Sequence, residues 1–179
     1  MKRTAGFTLI ELLVTITVVA VLISAAVPSF KTTIQNGRIT SQTNDFLGAL
    51  LIARSQAIAI NSDVVVCASS DGATCANSTD WNVGWLVGPG TPSAITSVLR
   101  VHEALVGNNT LQNDLHAKSV VFTAGSGVPK AGTEINFSLC DSRGEANGRS
   151  IYLSFVGEAR VSPTAGKQID NTTDLDCTP

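Results

Sequence analysis

The sequence predicts an α+β protein, a long N-terminal helix packed on an antiparallel β-sheet domain. Residues 7–27 are almost wholly apolar, and helical spacing of apolar residues continues to about Ile60. Beyond Asn61 the pattern changes to alternation with period two, broken by turns rich in Gly, Pro and Asn. At 179 residues there is room for one folded body with an appendage, and too little chain for two independent cores.

Residues 7–27 carry one charged side chain, Glu11, in 21 positions. At about 1.5 Å per residue, a helix of that length covers about 31 Å, the thickness of a bilayer core. Lys2 and Arg3 precede it, which places the start of the chain in the cytoplasm and the body across the membrane. A conventional export signal cut near Ser24-Ala25-Ala26 is the competing reading. Glu11 opposes it, because a carboxylate costs about 2.5–3.5 kcal/mol at mid-bilayer and a disposable signal has no use for one. A retained carboxylate needs a partner. A cut after Gly6 would free an α-amino group on Phe7, and that amine on a neighbouring subunit would serve.

Pro28 follows, removing one helical hydrogen bond and crowding the preceding turn, so a kink is expected there. Phe46, Leu50, Ala53 and Ala57 recur at spacings of three and four, and Leu47, Leu51, Arg54 and Ile58 form the adjacent row, so an inner stripe about two positions wide is expected. Gly37, after Asn36, is a second weak point at about 1 kcal/mol. The helix is expected to end near Asn61-Ser62-Asp63.

Val64-Val65-Val66 reads as a buried strand, and Trp81, Val83, Trp85 and Val87 alternate with Asn82, Gly84, Leu86 and Gly88 as a second. On that reading the two tryptophans share a face and pack on the long helix rather than holding a ligand. Further strands are expected at residues 97–102, 119–123, 133–139, 150–156 and 159–162, in one antiparallel sheet.

Four cysteines in a body beyond the membrane suggest an oxidising compartment and two disulfides. Cys67 and Cys75 bracket the turn signal Asp71-Gly72, which favours a local bridge and leaves Cys140 for Cys177, though three connectivities are open. A zinc site fails on spacing, since there is no Cys-x-x-Cys pair and His102 and His116 lie far from the cysteines. No nucleophile elbow, phosphate loop or His-Glu-x-x-His is present, so neither an enzyme nor a cofactor is expected. Asn77, Asn108, Asn136 and Asn171 open Asn-x-Ser/Thr triplets that composition explains. Without Lys2 and Arg3 there are ten basic against 14 acidic side chains, a net charge of −4 that argues against avid nonspecific nucleic-acid binding.

Gly6-Phe7-Thr8-Leu9-Ile10-Glu11-Leu12-Leu13 resembles the prepilin peptidase motif of type IV pilins and type II secretion pseudopilins. The resemblance implies cleavage after Gly6, N-methylation of Phe7, subunit docking through Glu11 and loosening of the helix near Pro28 during assembly. It divides the chain into a leader (1–6), a transmembrane half-helix (7–27), an amphipathic half-helix (28–61) and a β-rich domain (62–179). Later segments resemble the GspH/FimT group of minor pilins and pseudopilins: residues 81–87, Leu99-Arg100-Val101-His102, residues 139–144, Gly148-Arg149-Ser150-Ile151 and residues 156–161. The function implied is a minor type IV pilin at or near the pilus tip. Its implied partners are other major and minor pilins, a prepilin peptidase and an inner-membrane assembly platform. It would be held in the inner membrane, body in the periplasm, before entering the filament. A minor pseudopilin of a type II secretion system is one alternative.

The other alternative is a FimT-type DNA-binding pilin, whose Gly-Arg-x-Arg motif corresponds here to Gly157-Glu158-Ala159-Arg160. Glu158 replaces the first arginine and repels phosphate. Arg143, Arg149, Arg160 and Lys167 are the residues such a site would use, but Glu145, Glu158, Asp170, Asp174 and Asp176 are interleaved with them. A mixed-charge surface is therefore favoured over a DNA site.

Overall fold

The computed structural model describes residues 6–177; residues 1–5, with the basic leader side chains Lys2 and Arg3, lie outside the described residues. The chain divides into two compact units, one through Gly37 and one from Arg38. A single helix, α1 (Leu9–Ala59), supplies all the regular structure of the first unit and the opening element of the second.

In the first unit the apolar side chains described on α1 are exposed, with Leu9, Ile10, Val21 and Leu22 each more than 60% accessible. Its most apolar 18-residue window has a mean hydropathy of 2.5, long and apolar enough to cross a membrane. Helical hydrogen bonding continues through Pro28, and the Thr32 hydroxyl donates to the Pro28 carbonyl at 3.1 Å.

In the second unit the remainder of α1 turns Ile39, Phe46, Ala49, Leu50, Ala53 and Ala57 into the core, while of the adjacent row, expected to face inward too, Leu47 only borders the core and Leu51 and Ile58 are exposed. The small residues let the sheets approach the helix, and Phe46 fills the centre. Ala57 is capped from outside when its carbonyl accepts the Gly125 N–H at 3.0 Å, and Asn61 takes the left-handed conformation that closes the helix.

Two antiparallel sheets follow, where one was expected. The first orders β3 (Ala94–Ile95), β2 (Trp85–Thr91), β1 (Val64–Ala68) and β6 (Ser119–Phe122), and β4 (Arg100–His102) also pairs with β2. The second orders β5 (Thr110–Asn113), β7 (Ile135–Cys140), β8 (Arg149–Leu153) and β9 (Ala159–Val161). β1 is central and buried at all five positions, which is why it reads as an unbroken apolar run. Val64, Val66 and Ala68 enter the main core with Trp85, Val87, Val120 and Phe122, while Val65, Cys67 and Leu86 form a smaller cluster with Cys75, Ile95 and Val121. The second sheet contributes Leu111, Ile135, Phe137, Leu139, Ile151 and Leu153.

Trp81 does not lie on a strand. Residues Trp81–Val83 form a turn of 3-10 helix, opened by Asp80, whose carboxylate accepts the Asn82 N–H at 2.9 Å. Gly84 then turns the chain at φ 103°, where a Cβ would come within 2.4 Å of the His102 carbonyl. The strand begins only at Trp85. Both tryptophans are still fully buried and meet Phe46 edge-on, at centroid distances of 5.5 and 5.1 Å.

Candidate functional site

The residues expected to flank the cut, Gly6 and Phe7, sit just ahead of α1. Gly6 and Phe7 are non-helical and exposed, Phe7 by 78%. A Cβ at Gly6 would meet nothing within 4 Å, so local packing gives no reason for glycine at this position. An open bond flanked by a glycine that its own chain does not need is suited to recognition by another protein.

Thr8 opens the helix, and its hydroxyl accepts the Glu11 N–H at 3.3 Å. Thr8-x-x-Glu11 is thus half of a capping box, a signal present in the sequence but passed over there. Glu11 lies in the first turn, where the helix dipole favours negative charge. This local role accounts for a carboxylate near the helix start. It leaves the side chain exposed on an apolar surface, with a pairing role still open.

The cysteines form two bridges, Cys67–Cys75 with Cα atoms 5.6 Å apart and Cys140–Cys177 at 5.8 Å. The first joins β1 to its following loop over the smaller apolar cluster. In that loop the Asp71 carboxylate accepts the Ala73 and Thr74 N–H groups, each at 2.8 Å, and the Thr74 hydroxyl. Chiefly through the Thr74 bonds, these hold its carboxyl well below the usual carboxylate range. The second bridge ties the C-terminal segment to β7, beside the nearly buried Leu175.

Of the four cations that a DNA site would use, three are engaged by carboxylates. Arg143 grips Asp141 with Nη2–Oδ2 at 2.6 Å and Nε–Oδ2 at 2.9 Å. Arg160 faces Glu158 at 3.4 Å and lies over the Tyr152 ring at 6.0 Å. Lys167 meets Asp174 at 2.6 Å. Arg149 donates to the Gly148 carbonyl at 3.3 Å. Glu158 therefore also neutralises the arginine beside it. Burial pushes the Asp141 carboxyl up, but the bonds from the Arg143 side chain and N–H outweigh it, and the group stays below the ordinary value.

His102 stacks on Trp85 at 3.9 Å, within 7° of parallel. Asp45, on α1, faces both His102 Nε2 at 3.6 Å and Arg100 at 3.5 Å. This cluster pins β4 to the helix and was not foreseen, because its members lie far apart in sequence. Among the described residues no group of His, Cys, Asp and Glu is arranged to hold a metal ion.

Residues 42–157 match the family model described as type II transport protein GspH, and residues 1–27 match the prokaryotic N-terminal methylation motif. A crystal structure of the type IV minor pilin FimU of Pseudomonas aeruginosa is similar, with a TM-score of 0.62 at 22% identity over 72% of this chain and 91% of that one. A second crystal form of FimU gives 0.59 at 23% identity, over 69% and 92%. The minor pseudopilin EpsH of the Vibrio cholerae type 2 secretion system gives 0.50 at 15%, over 69% and 95%. At these identities the likeness is one of fold. No curated protein matches the sequence.

Proposed function

Since the chain belongs to the family of type II transport protein GspH, which its residues 42–157 match, we propose that it is a minor type IV pilin, an assembly or tip subunit of a pilus. The observation that carries this reading is the N-terminal helix. It matches the methylation motif over residues 1–27, and its apolar side chains are exposed, so they need either a membrane or other helices around them. In the membrane it anchors the subunit with the body in the periplasm. In the filament the same surface packs against neighbouring helices. A prepilin peptidase cuts after Gly6, Phe7 is N-methylated, and Glu11 docks on the α-amino group of an adjacent subunit. Catalysis has no part in this reading, and no residue is assigned to it.

The test separates the charge of Glu11 from its side-chain length. Glu11→Gln keeps the length and removes the charge, whereas Glu11→Ala removes both. Both variants are expected to insert and be processed, and both to fall at least tenfold in sheared, purified pili. Wild-type incorporation of Glu11→Gln would refute the pairing. The family description itself favours a second reading, a minor pseudopilin. Recovery of the wild-type chain with secretion pseudopili and not with pili would establish that reading instead, and recovery with neither would overturn both.

A further inference from the structure

Arg54 is an anomaly in the body. It stands on α1 between Leu51 and Ile58, three residues before and four after it on one helix face. Its Nε is buried and has no hydrogen-bond partner, and among the described residues Arg54 makes no ion pair. Two turns close over it. A Cβ on Gly127, at φ 63°, would fall 2.9 Å from Arg54 Cγ and from Ile58 Cδ1, and one on Gly157, at φ 83°, would fall 3.2 Å from Arg54 Nε. The backbone thus lies directly against the guanidinium stem, at two positions whose conformation favours glycine. A buried donor without an acceptor normally costs about 1–3 kcal/mol and calls for an explanation.

Nε is closed off by the Gly157 turn, and what this half-buried arginine offers a partner is its terminal nitrogens. Leu51 is 44% exposed, Ile58 48%, Phe155 55% and Val156 45%, and the last two immediately precede Gly157. They make an apolar surface with one unneutralised guanidinium inside it. Glu158, the acidic side chain next in the chain, is already set against Arg160.

We propose that this face, Leu51, Arg54 and Ile58 with the Phe155-Val156 turn, is a docking surface for a second pilin-like subunit of different sequence, which presents a carboxylate to Arg54 from among apolar side chains. The inference rests on the filament reading above and names the chemistry of one contact within it. Charge complementarity sets the carboxylate, since the terminal nitrogens of a guanidinium bind one end-on and such a pair strengthens when apolar neighbours exclude water. Exposed aliphatic and aromatic flanks fit a protein partner and not a phosphate backbone. Pairing of this face with itself in a second copy is disfavoured, because Glu158, the acidic side chain beside it, is already set against Arg160.

The test places a photo-crosslinking residue at Leu51 of the full chain, in the cells that make it, and analyses purified filaments. The expected result is an adduct with a different pilin-like subunit that falls at least tenfold in Arg54→Glu and only two- to fivefold in Arg54→Lys. Phe155→Asp, on an exposed turn that tolerates charge, is expected to give the same tenfold loss by repelling the partner's carboxylate, which guards against misfolding of Arg54→Glu. An adduct insensitive to both Arg54→Glu and Phe155→Asp overturns the proposal. So does an adduct formed only with a second copy, with lipid or with nucleic acid, or the absence of any adduct from a chain that still enters filaments. In these cases the filament reading survives. Absence of the wild-type chain from filaments overturns both.

Discussion

Asp141 shows what a single side chain contributes to this body. Its side chain is only 3% exposed, an expensive place for a carboxylate, and the Arg143 guanidinium and N–H compensate it. The folded group titrates below its unfolded value of about 3.9, so its contribution to stability is complete above about pH 4 and is lost as pH falls through the folded value. Asp141→Asn is therefore expected to lower unfolding free energy by about 1.5–3 kcal/mol at pH 7. The deficit should shrink as pH falls below 4, because the wild type loses what the variant already lacks. Denaturant unfolding at intervals from pH 7 to pH 2 measures it, and a constant deficit would show that the loss is one of packing and not of charge. Such pairings were poorly legible in the sequence. Arg143 could be placed among the cations of the second half, but not beside its own neighbour two residues away, since spacing says nothing of a turn that folds both side chains together. The orphaned donor of Arg54 was invisible for a similar reason: the two glycine turns that cover it come from residues 73 and 103 positions downstream.

At the scale of elements, periodicity carried most of the information and turns the least. β1 and β6 lie close to their expected positions because β-branched runs have few other uses, and β7 does because Ile135, Phe137 and Leu139 alternate with Asn136 and Ser138. Trp81 was misplaced because alternation with Trp85 is compatible with a 3-10 turn when a capping aspartate precedes it and a left-handed glycine follows. β5 was missed because Thr110-Leu111-Gln112-Asn113 carries one apolar residue, and its place is set by pairing with β7. Turn chemistry also builds the C-terminal segment. There the Asp170 carboxylate gathers the Thr172 and Thr173 N–H groups and hydroxyls, the Leu175 N–H donates to the Gly166 carbonyl at 2.9 Å, and Lys167 meets Asp174. These ties are local and mostly exposed, so the Cys140–Cys177 bridge is the principal covalent hold on the segment. Closing a loop of this length stabilises by about 3–4 kcal/mol on the chain-entropy estimate. Replacing both cysteines by serine is expected to lower the melting temperature by about 10 °C, and to open residues 163–177 to protease while β1 and its bridge stay protected. Calorimetry with mass-mapped proteolysis reads both.

For the whole molecule, a continuous helix belongs to two units with opposite surface chemistry, and the change falls beside Gly37. A Cβ there would meet nothing within 4 Å, so glycine at this point weakens the helix by about 1 kcal/mol with no packing gain. Among the described residues the first one buried in the core is Ile39, and the others lie beyond it. The two sheets, the helix segment from Arg38 and both bridges thus form a body with a core of its own. Residues 38–179, exported to an oxidising compartment, are accordingly expected to be soluble and to unfold in one cooperative transition. Trp81 and Trp85 are the chain's two tryptophans and both are fully buried, so the transition should appear as a red shift of their emission. The full-length chain in detergent should show the same midpoint within a few degrees, since residues 7–37 add helix without adding core. A fragment that is molten, or that melts far below the full chain, would mean that the apolar half-helix stabilises the body by contacts outside this core. A division of labour between an assembling helix and a self-sufficient body that displays Arg54 would then fail.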